Sequence, residues 1–255
     1  MLASSLPLSF WLLAALAVVL VGMSKAGFGG AAGSLAVPLL AIAVSPPFAA
    51  AVLLPILLAL DAIGLVVFRG KGDWQNLRLL LPAAMLGIGF GWLTFGHVDP
   101  RWIRLLIGLE AIAFAVDRFR ASTLHNDLAV PPAPTFAAGM FWGSLSGFTS
   151  FISHAGGPPV MHFLMPQNMD KMRLVGTMTI FFSVVNFAKL GPYFHLGLID
   201  GKNLAVSAML LPFVPIGYAI GYRLLHAVDM RGFNRVTAWT LLAAGIKLVW
   251  DGVQG

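Results

Sequence analysis

Charge is scarce in this sequence. Of 255 residues, 16 are basic and 10 acidic, so charged side chains make up 10% of the chain, against about 25% in an ordinary soluble domain. A water-soluble fold of this length needs a polar coat, and so few charges cannot supply one. Cysteine is absent, which excludes disulfides, thiolate metal sites and a cysteine nucleophile. The six histidines lack metal-site spacing. Neither Gly27-Phe28-Gly29-Gly30 nor Gly87-x-Gly89-x-Gly91 sits in the strand–turn–helix context of a dinucleotide site, and no P-loop is present. No cofactor, metal or direct ATP coupling is therefore expected. The alternating pattern of barrel strands is missing as well.

What the chain has instead is apolar length. Hydrophobic residues make up 58% of it, and the mean hydropathy is +0.87. A spanning helix needs roughly 20 mostly apolar residues. The windows Leu6–Ser24, Phe48–Phe68, Leu77–Gly96, Trp102–Phe119, Thr135–Ile152, Leu174–Tyr193, Leu204–Leu225 and Phe233–Trp250 qualify. The reading is an all-α polytopic membrane protein. The net charge of +6 and pI near 10.1 arise from basic residues scattered at helix ends, which fits the positive-inside rule better than nucleic-acid binding. The first apolar run lacks a basic leader and is followed by Lys25, so it reads as a retained span.

Comparing the chain with itself divides it in two. Pro82, Gly87, Gly91, Val98, Asp99 and Arg101 recur 130 residues later as Pro212, Gly217, Gly221, Val228, Asp229 and Arg231. Upstream, Asp73, Asn76 and Leu77 recur at a spacing of 127 as Asp200, Asn203 and Leu204, and Gly27-Phe28 matches Gly147-Phe148. The expected organisation is a first transmembrane repeat over 1–120, a proline-rich connection over 121–134 and a second repeat over 135–255. The pairs Gly87/Gly91 and Gly217/Gly221 are small-xxx-small motifs, whose commonest use is close helix packing.

Two further apolar segments, Ala31–Val44 and Gly156–Pro166, are too short to span. If both nevertheless enter the membrane, one side collects 11 of the 16 basic residues, as positive-inside orientation requires. Five membrane-entering helices per half follow, eight long and two short or re-entrant, with the halves inverted and both termini on the outer face. Inverted repeats with broken helices recur among secondary transporters.

Candidate site residues cluster at two helix breaks. The first is Lys25-Ala-Gly27-Phe-Gly29-Gly30-Ala-Ala-Gly33-Ser34, ahead of Pro38; the second runs from Gly147 through Thr149, Ser150, Ser153, His154, Gly156 and Gly157 to Pro158. Glycine loosens a helix, and the backbone N–H groups of the next helix start then attract anions. Ionisable residues within apolar spans are costly and tend to be paired or functional. Among these, His154 is a candidate donor or proton relay, and a structurally satisfied histidine is as plausible a role for it. Asp61 is a partner for Lys25 or a carrier of a coupling proton. Asn186 and Lys189, one turn apart, are candidate donors, although Lys189 reads more readily as snorkelling to the interface. Glu110 and Lys247 read as helix-end or intrahelical pairs, and His162 completes the set.

At these residues the sequence resembles the TauE/SafE sulfite exporter family, also called the toluenesulfonate uptake permeases. Gly27-Phe-Gly-Gly-Ala-Ala-Gly-Ser-Leu-Ala-Val-Pro38 matches the family's glycine run ending in Val-Pro. The second half departs from the commonest pattern and looks like a subgroup carrying His154-Ala-Gly-Gly-Pro-Pro159. The resemblance implies transport of sulfite or small organosulfonates across the bacterial cytoplasmic membrane, often outward, coupled to protons or membrane potential. The expected partners are a small anion and the lipid bilayer, with oligomeric state open and a homodimer among the options. Two rivals remain at this point. One is an intramembrane hydrolase using Ser150 or Ser153 with His154; the other is a passive channel or non-transporting subunit.

Overall fold

The computed structural model describes residues 6–27, 33–34, 36–95, 97, 99–121, 134–167, 169–227 and 230–254. Gly29, Gly30, Val98, Val228, Asp229 and residues 122–133 of the expected linker lie outside the described residues.

Among the described residues the regular structure is helical throughout. The elements are α1 (Leu8–Gly27), α2 (Ala36–Ala41), α3 (Pro46–Val67), α4 (Trp74–Phe95), α5 (Pro100–Ala121), α6 (Phe136–Ser153), α7 (Gly157–Leu164), α8 (Lys171–Ala188), α9 (Leu190–His195), α10 (Gly201–Leu210), α11 (Phe213–Ala227) and α12 (Met230–Gln254). Each expected window coincides with one helix or with a broken pair. Leu8–Gly27, Pro46–Val67, Trp74–Phe95 and Lys171–His195 are long and apolar enough to cross a membrane, and α10 with α11, bent by 47°, makes a fifth candidate.

The chain's start signals act locally as their chemistry dictates. Asp73 Oδ1 accepts from the backbone N–H of Gln75 at 3.0 Å and Asn76 at 3.3 Å, opening α4. Its repeat counterpart Asp200 accepts from Asn203 N–H at 2.7 Å, opening α10. The repeated Asp-x-x-Asn is thus a helix N-cap in both halves.

The short helices are shorter than the sequence suggests. α2 has 6 residues and α7 has 8, or about 9 and 12 Å at 1.5 Å per residue, against apolar segments of 14 and 11 residues. Ser45-Pro46-Pro47 begins a new helix and leaves only a turn before it, while Met165–Gln167 tightens into a 3₁₀ turn around Pro166.

Packing explains most of the repeated glycines. The broadest interfaces join α4 to α6, α5 to α12 and α1 to α11. A Cβ at Gly87 would lie 2.0 Å from Ser144 O, and one at Gly147 2.1 Å from Ala84 O. Across the bundle, a Cβ at Gly217 would lie 2.6 Å from Val19 O, and one at Gly221 2.4 Å from Met23 O. Backbones touch here because no side chain intervenes, which replaces the hydrophobic drive that lipid removes. Large apolar side chains such as Val66, Leu93, Phe136 and Phe187 point outward. Helix α3 runs through the centre, with Ala49–Leu54 buried throughout.

Candidate functional site

Polar side chains converge where α1, α3, α6 and α8 meet. The Lys25 ammonium at the end of α1 pairs with the Asp61 carboxylate of α3, and both are largely buried. The other Asp61 oxygen accepts from Asn186 Nδ2 of α8 at 2.6 Å. One turn on, Lys189 stands at the junction of α8 and α9 and is wholly buried. It donates to Ser150 O at 2.9 Å, Ser150 Oγ at 3.1 Å and His154 Nδ1 at 2.7 Å. Lys189 therefore does not snorkel. Its side chain turns inward instead, where three acceptors take its hydrogen bonds and none of them supplies negative charge.

His154 ends α6 with a left-handed backbone, φ 54. This turn throws the imidazole back across the bundle, and Nε2 lies 2.8 Å from Ala50 O of α3. A carbonyl only accepts, so Nε2 carries the proton and Nδ1 accepts from Lys189. Both ring nitrogens are thus engaged by the protein, and in this conformation the imidazole has no spare donor for an anion. Neither Ser150 nor Ser153 is its partner, so the geometry does not form the dyad that a serine hydrolase requires. Tyr193 braces the same corner, donating to Phe151 O at 2.6 Å.

On the opposite side of the α6 terminus, Ser153 Oγ lies 2.7 Å from Glu110 Oε2 and 3.0 Å from Thr149 O. Glu110 belongs to α5, so it is not the helix-end or intrahelical pair that the sequence suggested; its partner is 43 residues away. A small cavity adjoins it. Ser34 and Pro38 from the first break and Ser153, Ala155 and Pro158 from the second line this cavity together, against an α5 wall of Ile107, Glu110, Ala111 and Phe114. It holds about one water molecule. Glu110, Phe114 and Pro158 also border an outer cavity of about 240 Å³ between α5, α6 and α7, where Thr149, Trp142 and His162 appear.

The predicted site residues divide accordingly. Ser34 and Ser153 reach the inner cavity, while Ser150, His154, Asn186, Lys189, Asp61 and Lys25 form the buried polar cluster. Thr149 faces the outer cavity and also donates to Ala155 O at 3.2 Å. Gly27 is a packing residue, since a Cβ there would meet Gly221 O at 2.7 Å. Gly156 is another, its added Cβ falling 2.6 Å from Ser146 O, while Ser146 Oγ donates to Gly156 O at 2.7 Å. Gly33 has open space around it, and Gly157 is the buried first residue of α7. Sequence reasoning named Glu110 only as a pairing residue and passed over Ser146, Tyr193 and the Ala50 carbonyl. For Glu110 a signal existed, an acid in the middle of an apolar window; for the others none did.

The chain's relatives can be set beside this geometry. It is 24% identical over 178 residues to the probable inner membrane transporter protein TsaS of Comamonas testosteroni, covering 69% of this chain and 72% of that one. No solved structure matches it. The family model for the sulfite exporter TauE/SafE matches residues 14–248, nearly the whole helical bundle, and by that match the chain belongs to the TauE/SafE family of membrane transporters.

Proposed function

We propose that this protein is a secondary transporter of sulfite or a small organosulfonate in the bacterial inner membrane. It moves the anion outward by alternating access, at the expense of a proton gradient or the membrane potential. The observation that carries this reading is one cavity lined by residues of both chain breaks, with the wholly buried Lys189 behind the second. A buried ammonium without countercharge is costly, and a substrate anion would supply that charge. The breaks add backbone N–H groups, Gly33 and Gly157 among them, and the hydroxyls of Ser34, Thr149, Ser150 and Ser153 as partial charges. Such a cage binds without holding too tightly for release. His154 and Asn186 position Lys189 and Asp61, while Lys25 and Asp61 keep the neighbouring charge balanced.

Two inverted halves, 1–120 and 135–255 with both termini outside, suit this mechanism. The interface pattern supports them. Exchanging the halves turns α4–α6 into α1–α11 and α4–α8 into α3–α10, and maps α3–α8 and α5–α12 onto themselves. Each half would then rock against the other around the breaks.

The test is flux in proteoliposomes with sulfite, sulfate, thiosulfate and small sulfonates offered in turn. Accumulation of one of them against its gradient, lost in Lys189→Met at unchanged protein yield, is the expected result. Purely downhill flux would make the protein a channel, and undiminished uphill flux in Lys189→Met would remove Lys189 from the mechanism.

A further inference from the structure

A carboxylate is a strange lining for a cavity meant to hold an anion. Glu110 nevertheless forms part of the wall where the two breaks meet, and the Ser153 hydroxyl lies 2.7 Å from its Oε2. No cation touches it among the described side chains. The helices packed on α5 are α2, α3, α6 and α12. Helix α2 has no titratable residue. The sole titratable group of α3, Asp61, is held by Lys25 and Asn186. Helix α6 contributes hydroxyls only, and His154 beyond its end is turned to Ala50 and Lys189. On α12, Lys247 pairs with Asp251 at 2.9 Å. Arg231 and Arg235 of α12 have side chains outside the described residues, and a further titratable neighbour is His162 of α7, exposed and stacked on Trp142 with ring centroids 5.1 Å apart. It borders the same outer cavity of about 240 Å³ as Glu110.

The buried charges give the arrangement its meaning. Lys25 and Asp61 cancel, and an ionised Glu110 places a negative charge on the cavity wall. A proton on Glu110 removes its repulsion of an entering anion. The geometry points to Glu110 as the proton-binding site of this transporter, loaded through the His162 cavity, so that proton and anion occupy the space between the two breaks together. This rests on the transport reading above and specifies its coupling ion: because proton and anion cross together, an inward proton gradient drives uptake, and outward movement draws on the membrane potential and the anion's own gradient. No bond other than that to the proton forms or breaks: the proton joins a carboxylate oxygen when the anion enters and leaves with it. By linkage, acid then tightens anion binding, and the anion tightens proton binding by the same factor.

The experiment compares wild type with Glu110→Gln in proteoliposomes, reading net flux driven by a pH gradient and anion exchange without one. Wild type should bind the anion about tenfold more tightly in mild acid than in mild alkali, and the variant should change by less than about twofold. Glu110→Gln should retain exchange and lose the response to the gradient. A variant still driven by the pH gradient would overturn the assignment. Infrared difference spectra on acidification give a readout independent of transport: a carboxylic acid carbonyl band should appear in wild type and vanish in Glu110→Gln. Persistence of the band in the variant would likewise overturn it. If wild type moves no anion, the transport reading falls while the band still decides Glu110. Should Glu110→Gln fail to fold, Glu110→Asp must shift both the band and the pH midpoint of binding.

Discussion

Two lysines lie in the core of this bundle, and their surroundings differ in kind. Lys25 ends α1 against a carboxylate, with Asn186 holding that carboxylate's second oxygen. Lys189 lies as deep and meets only a backbone carbonyl, a hydroxyl and a neutral imidazole. The first lysine is a structural charge with its balance built in. The second is held by hydrogen bonds alone, with no carboxylate against it. The contrast separates what the fold needs from what transport needs.

Substitutions can break that contrast. The largest effect on stability is expected from Asp61→Ala, which leaves the Lys25 ammonium buried and unpaired. It should cost about 3–5 kcal/mol, read as a steep fall in detergent-solubilised melting temperature. Removing both charges, in Lys25→Met with Asp61→Asn, should restore most of that loss, and no recovery would mean the pair does more than cancel charge. Gly87→Ala comes next. Its methyl would sit 2.0 Å from Ser144 O, and overpacking of this kind costs typically about 1–3 kcal/mol, measurable by the same melt. Lys189→Met inverts the pattern: stability should hold or rise, because a buried charge disappears, while uphill flux is lost. At the bottom of the scale, Lys247→Ala breaks a half-exposed pair with Asp251 and should shift stability by less than about 0.5 kcal/mol.

Much of the architecture was legible because it follows one-dimensional periods. Apolar windows predicted the helices to within a few residues, and the repeated Asp73 and Asp200 marked two helix starts through purely local capping. The repeated glycines were correctly read as packing at Gly87 and Gly217. At Gly27 and Gly156 the glycine run left packing and anion binding both open, and the structure adds that backbone presses close against each. Depth did mislead. Lys189 stands near the end of an apolar window, where snorkelling is the usual outcome, but Ser150 and His154, 39 and 35 residues away in sequence, hold it inward. Glu110 was visible as an acid in mid-span, yet its hydroxyl partner arrives from 43 residues away. Pattern along a chain carries no information about contacts made across the bundle.

The turn at His154 has one more consequence. An L-residue held in the left-handed region gives up on the order of 1–2 kcal/mol relative to a right-handed one, and here the imidazole's two anchors, Ala50 and Lys189, hold it there. The interruption between α6 and α7 is therefore latched rather than slack: a glycine would rest in this bend for nothing, whereas the histidine stays only while its grips on α3 and α8 last. Loosen either grip, and the backbone itself favours springing the end of α6 toward another shape.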